Sequence, residues 1–314
     1  MGRIRIMASS IRKLPRQAGF FFVVVPLLLL VLAMPLRAET GALTQKADQG
    51  RINWFTGEIR AMGEAKVRQQ LWDQQVRQEV MRRQALMDGR YNLYSALKAV
   101  RIDSSLTVRD RVTEDPVLRE KLKGRVNNSV VLDRTVVPDE RMSLRVGMKL
   151  WGPLSKMLIP DSVWYEKPSE VSAEELDQEE MEPSERIERH SGLIVDARGL
   201  DVQPSLICRV YGPEKRLLYG PGIVRPSVAI GRGMVGYTQD RRRAVRSSRS
   251  GDDPLILRAE EKAASKGCEV TVSAEASEQL LPRPGNVEFL RRGRVVIIVG
   301  SSDGEEPMEY ELDQ

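Results

Sequence analysis

From Phe55 to Val67 the chain alternates. Phe55, Gly57, Ile59, Ala61, Gly63, Ala65 and Val67 hold the odd positions, and Thr56, Glu58, Arg60, Met62, Glu64 and Lys66 the even ones. A two-residue period predicts a strand with one face on a core and the other in water. Glycines on the inner face leave room for another element to lie close across it. The next segment, 69–100, can supply that element. Trp72, Val76, Val80, Met87, Tyr91, Tyr94 and Leu97 recur at intervals of three, four and seven, the stripe of one helix, with Gly89 as a place for it to bend. A shorter helix is expected from Pro116, capped by Glu114 or Asp115. Val130–Val137, the turn Pro138-Asp139-Glu140 and Met142–Leu150 predict a hairpin, with Met142, Leu144, Val146, Met148 and Leu150 on one face.

Between 166 and 190 the pattern lapses into ten acidic residues against three basic ones, a solvated linker with no face to bury. Ser172 and Glu175 have capping-box spacing, which permits a short helix there. Regular structure resumes at Ser191. Gly192–Gly199 and Leu206–Tyr211 read as strands, and the turn at Gly212–Arg216 leads into Leu217–Tyr219. Pro254–Ala264 begins strand-like and ends helix-like, and Cys268–Val272 is a strand running into a helix with Ser273 as N-cap. The β-branched run Arg294–Val299 predicts a central strand covered on both faces. The expected fold class is therefore α+β: a small antiparallel sheet packed by a long helix, followed by a second mixed α+β domain. The expected boundaries are 39–160, a linker at 161–190, and 191–314.

The first 38 residues change the reading of charge. Arg3, Arg5, Arg12, Lys13 and Arg16 precede the apolar run Ala18–Met34, and Leu36 and Ala38 sit at the −3 and −1 positions of a signal-peptidase site. The expectation is an exported, periplasmic or envelope-associated protein with its signal cleaved after Ala38; an uncleaved anchor is the alternative. Without this segment, 43 of the 49 basic residues face all 44 acidic ones. The whole-chain pI of about 9.2 thus reflects the signal, and nucleic acid is not an expected partner.

Candidate chemistry is sparse. Cys208 and Cys268 are either a disulfide, which an exported compartment permits, or two buried thiols. His190 is the chain's one histidine, so no Ser-His-Asp, Cys-His or histidine metal set assembles. Asp196, at a strand end without a second carboxylate at readable spacing, reads as structural. Gly231-Arg-Gly-Met-Val-Gly236 spells a dinucleotide fingerprint, but the strand before it is weak and no apolar helix follows, so a flexible loop is expected. That loop carries Arg241, Arg242, Arg243, Arg246 and Arg249, a candidate surface for anionic lipids or envelope polymers, or simply a solvated basic segment. The four tryptophans, Trp54, Trp72, Trp151 and Trp164, read as core or interface anchors. No cofactor and no catalytic residue is expected.

The stretch from Trp54-Phe-Thr-Gly-Glu-Ile-Arg-Ala-Met-Gly to Tyr91-Asn-Leu-Tyr-Ser-Ala-Leu-Lys-Ala-Val-Arg-Ile-Asp103, continued by Leu106-Thr-Val and Val126–Pro138, resembles the small Helicobacter-type surface lipoproteins (the LPP family) and the N-terminal domain of flagellar assembly protein T. Gly192–Leu200 with Pro204, Pro254-Leu-Ile-Leu and Phe289–Val299 resemble the multi-domain exported members of that group. The resemblance implies a helix-on-sheet domain and a role in assembly or surface attachment through envelope or flagellar proteins, with oligomerisation and peripheral membrane contact as further expectations. No lipobox cysteine stands near Ala38, so the lipid anchor of those lipoproteins is absent, and no functional residue carries over.

Overall fold

The structure is a computed structural model, and it describes residues 43–66, 73–137, 141–166, 190–280 and 284–300. The signal segment, Trp72, the Pro138–Glu140 turn and nearly all of the acidic linker lie outside the described residues. The chain is α+β. Its first lobe is a five-stranded antiparallel sheet in the order β1-β2-β3-β5-β4, built from β1 (Thr44–Ala47), β2 (Gly50–Asn53), β3 (Glu58–Lys66), β4 (Val130–Val137) and β5 (Arg141–Lys149). The alternation decides which face is buried. The β3–β5 register sets Ile59, Ala61, Gly63 and Ala65 opposite Met148, Val146, Leu144 and Met142, and a single-residue slip would put all of them in water.

Helix α1 (Gln74–Lys98) lies on that inner face. Its contact is set by small residues. A Cβ on Gly63 would fall 2.1 Å from both the Ala85 carbonyl and the Gly89 nitrogen, so the two backbones touch where the two glycines meet. Gly89 therefore serves close approach, where the sequence suggested a bend. The predicted stripe holds at its carboxy-terminal end, where Leu97 is buried and Tyr94 packs against the core, and fails ahead of it. The helix buries Met81, Ala85, Gly89, Leu93, Ala96 and Leu97, while Val76, Met87 and Tyr91 stand in solvent. Two short helices follow, α2 (Val108–Glu114) with a Thr107/Asp110 capping box, and α3 (Pro116–Asn127), whose first turn is capped by Asp115 accepting from the Leu118 N–H. The β1–β2 hairpin carries little hydrophobic pattern, because only Ala47 and Ile52 of its eight residues are buried.

The second lobe is a seven-stranded mixed sheet in the order β8-β7-β11-β10-β6-β12-β9. It comprises β6 (Gly192–Asp196), β7 (Cys208–Tyr211), β8 (Leu217–Tyr219), β9 (Gly236–Thr238), β10 (Pro254–Lys262), β11 (Cys268–Val272) and β12 (Val295–Ile298). Strands β10, β6, β12 and β9 run parallel, and β12 is the buried interior strand that its apolar run predicts. Around the sheet are helices α4 (Pro153–Leu158), α5 (Pro226–Arg232), α6 (Arg241–Val245), α7 (Ala274–Leu280) and α8 (Pro284–Arg291). Two readings are corrected here. Pro226–Arg232 is a helix with proline in its first turn, and Pro254–Lys262 is strand throughout, held between β6 and β11.

Buried residues of both lobes belong to one apolar core. Trp151 lies between Gly57 of the first lobe and Gly233 of the second. A Cβ on either glycine would run into the indole, at 2.0 and 2.8 Å, and both glycines have positive φ. The Gly152 N–H donates to the Ile230 carbonyl at 2.7 Å, and the Leu206 and Ile207 N–H groups donate to the Arg101 and Ile102 carbonyls. At another point Arg209 is held by Glu166 and by Glu269 at 3.1 Å, and the Ser104 hydroxyl donates to Glu269 at 2.7 Å. Both carboxylates outweigh the burial of Arg209, and its pKa is raised.

Candidate functional site

The five arginines read as one basic loop go to different places. Asp240 caps α6 by accepting from the Arg242 and Arg243 N–H groups, so Arg241–Val245 is helix rather than flexible loop. Arg243 lies over the Phe55 ring at 4.1 Å, a cation–π contact onto the first lobe. Arg241 is one of the cations felt by Asp196, while Arg242 and Arg246 point to solvent. Arg249 turns inward. Its Nη1 donates to the carbonyls of Gly233, Met234 and Gly293 at 3.1, 3.3 and 3.0 Å, and its Nη2 to that of Arg232. Burial, and then the neighbouring Arg232 charge, push its pKa down to about 10.

The glycine fingerprint has no phosphate-loop geometry. Gly231 is in the last turn of α5, Gly233 packs on Trp151, and Gly236 opens the buried strand β9 against the Arg249 side chain. A helix ends within the motif and a strand follows it, the reverse of the strand-then-helix order a dinucleotide site requires.

Asp196 ends β6 and holds Arg198 with both oxygens, at 2.9 Å to Nε and 2.7 Å to Nη2. Burial pushes the carboxyl up, but Arg198, through its guanidinium and its N–H, outweighs this and the pKa is lowered. Beside Arg198 opens a cleft of about 630 Å³, lined by Leu200, Ile256, Arg258 and Glu260, and by Ser273, Glu275 and Gln279. The Ser273 hydroxyl is committed as the cap of α7, accepting from the Ala276 N–H at 3.1 Å. These groups can bind polar ligands; they do not make a nucleophile–base pair. His190 sits at the other end of β6, 3.8 Å from Asp253, so it and Asp196 do not combine. Cys208 and Cys268 face each other on adjacent strands and are joined in a disulfide, with their Cα atoms 4.6 Å apart. Among the described residues no three His, Cys, Asp or Glu side chains are grouped to hold a metal.

The surface that sequence reasoning misplaced is the outer face of α1. Val76, Met87 and Tyr91 are 45, 71 and 72% exposed, and Val80 is half-buried on the same side. Arg83 stands among them, and Arg77 and Arg90 flank them. The helix carries five basic residues and two acidic ones. One of the acids, Glu79, is held by Arg82 and then Arg83, which lower its pKa to about 2. The inner face buries Met81, Leu93 and Leu97 together with the small Ala85, Gly89 and Ala96. Large apolar side chains thus stand on both faces of this helix, and Val76, Met87 and Tyr91 are the ones left in water.

Among known proteins, no curated protein matches the chain. Residues 192–302, from β6 to just beyond β12, are similar to the family described as Treponema pallidum Tp0624, second domain.

Proposed function

We propose that this is an exported, non-catalytic envelope protein that binds a partner protein through the outer face of α1, in flagellar or another envelope assembly. The observation that carries the reading is the row of Val76, Met87 and Tyr91 on the exposed face of that helix. Large apolar side chains left in water cost free energy on every isolated molecule, and their alignment along one face is the geometry by which a helix docks into a groove. The arginines around them favour a partner whose apolar surface is rimmed by carboxylates.

The test is site-specific photocrosslinking in intact cells, with the probe at Met87 or Tyr91 and a control probe at exposed Lys121 on α3. A discrete adduct with another envelope protein, seen from α1 and not from Lys121, is the expected result. Adducts identical from all three positions, none at all, or only adducts of the chain with itself would overturn the reading. Met87→Ser changes stability by no more than about 0.5 kcal/mol, so loss of the Tyr91 adduct in that background reports binding rather than folding.

A further inference from the structure

Three arginines from separate parts of the second lobe converge at the amino-terminal ends of the adjacent parallel strands β6, β12 and β9. Arg232 ends α5, Arg249 follows α6, and Arg294 immediately precedes β12. Arg232 and Arg249 share one carbonyl: that of Gly293 accepts from Arg249 Nη1 at 3.0 Å and from Arg232 Nη2 at 3.5 Å. Arg294 Nη1 donates to the Ser191 carbonyl at 3.2 Å, just ahead of β6.

Among the described residues none of the three has a carboxylate in ion-pair range. The nearby Glu288 is taken by Arg225 and Arg292. Burial lowers the pKa of Arg232 and of Arg249, and a neighbouring arginine adds to each: Arg294 for Arg232, and Arg232 for Arg249. Like charges gathered in a partly dry site are costly without a counter-ion.

We propose that Arg232, Arg249 and Arg294 form a binding site for a phosphate group. Arg249 supplies a charge fixed in place by four carbonyls. Arg232 is exposed and Arg294 half-buried, and each spends only one guanidinium nitrogen on carbonyls, which leaves N–H groups free to grip an entering anion. Several convergent forks match the charge and the tetrahedral oxygens of phosphate better than a single carboxylate. The phosphate can be a free anion or part of a lipid headgroup, since the chemistry recognised is the same.

The full chain is titrated with inorganic phosphate by calorimetry, and its thermal midpoint is followed against chloride at equal ionic strength. Saturable binding is expected, with a midpoint rise of about 2–4 °C once phosphate reaches several times its Kd. Arg232→Gln and Arg294→Gln, singly and together, are expected to weaken binding at least tenfold each while leaving the midpoint in chloride near that of the parent. Arg249→Gln strips donors from buried carbonyls and is read only as a folding control. Flotation with phosphatidylglycerol and phosphatidylcholine vesicles separates the sources. Vesicle binding that needs Arg232 and Arg294 assigns a lipid headgroup, and phosphate binding without vesicle binding assigns a soluble anion. A phosphate response equal in parent and double variant overturns the site.

Discussion

Trp54 and Tyr237, one from each lobe, meet edge to face with ring centroids 5.7 Å apart and planes inclined at 73°. Both are fully buried and both are tethered. The Trp54 indole donates to Gln45 at 2.7 Å, and the Tyr237 hydroxyl donates to the Ser205 carbonyl at 2.9 Å while accepting from the Ser205 N–H. The contact joins the two sheets inside one core, so the lobes are expected to unfold together. Trp54→Ala should cost about 3–5 kcal/mol. Tryptophan fluorescence and far-ultraviolet circular dichroism should then follow a single urea transition in parent and variant alike, and two separated transitions would show that the lobes fold independently.

Two glycine-to-alanine changes should differ in sign. At Gly63 the new methyl would collide with the backbone of α1 at Ala85 and Gly89, neither of which can move aside without lifting the helix from the sheet. A loss of about 3 kcal/mol is expected. Gly124 lies within α3 with open space where its Cβ would be. There the change should add about 0.5–1 kcal/mol by improving helix propensity. Urea midpoints of the two variants check both signs.

The first lobe was legible in outline because strand alternation assigns residues a face, and β3 keeps it for nine residues and β5 from Arg141 to Val146. The phase of α1 was legible only at Tyr94 and Leu97; for Val76, Met87 and Tyr91 it was not, since backbone approach at Gly63 and Gly89 selects alanine and glycine for the middle of the contact. The clue was present in the glycines of the inner strand face, but only the fold shows which helical residues meet them. The short β1–β2 hairpin left too few apolar positions to register. The grouping of Arg232, Arg249 and Arg294 had no signal along the chain, because the three come together only through the parallel arrangement of β6, β12 and β9. The run at Arg241–Arg249 drew attention, yet four of its five arginines lie outside that group.

Reducing the disulfide should be costly. Cys208 and Cys268 are 60 residues apart, and the loop they close is absent from the constraints on a reduced unfolded chain. A chain-entropy account of a loop that long gives about 4 kcal/mol. The urea midpoint should therefore fall on adding dithiothreitol, and a Cys208→Ala/Cys268→Ala variant should be insensitive to the reductant. A parent midpoint unmoved by complete reduction would refute a stabilising role for the bond.

Alkaline pH should unfold the protein through two phenols. Tyr219, donating to the Met234 carbonyl at 2.7 Å, and Tyr237 are both buried, and burial raises both pKa values well above the ordinary 10. The folded state then holds protons that the unfolded state releases, so their contribution is complete below pH 10 and is lost as pH rises above it. Arg249 acts in the opposite sense over the same range, because its folded pKa of about 10 lies below that of an unfolded arginine. Each buried phenol contributes a fall of about 1.4 kcal/mol per pH unit above pH 10, and Arg249 offsets about one of them. Tyr237→Phe removes one phenol and should flatten the slope by about that amount, besides costing about 1–3 kcal/mol at neutral pH for the unpaired Ser205 N–H. Urea midpoints of parent and variant between pH 8 and 11 measure both effects, and parallel curves would show that Tyr237 ionises while the protein is still folded.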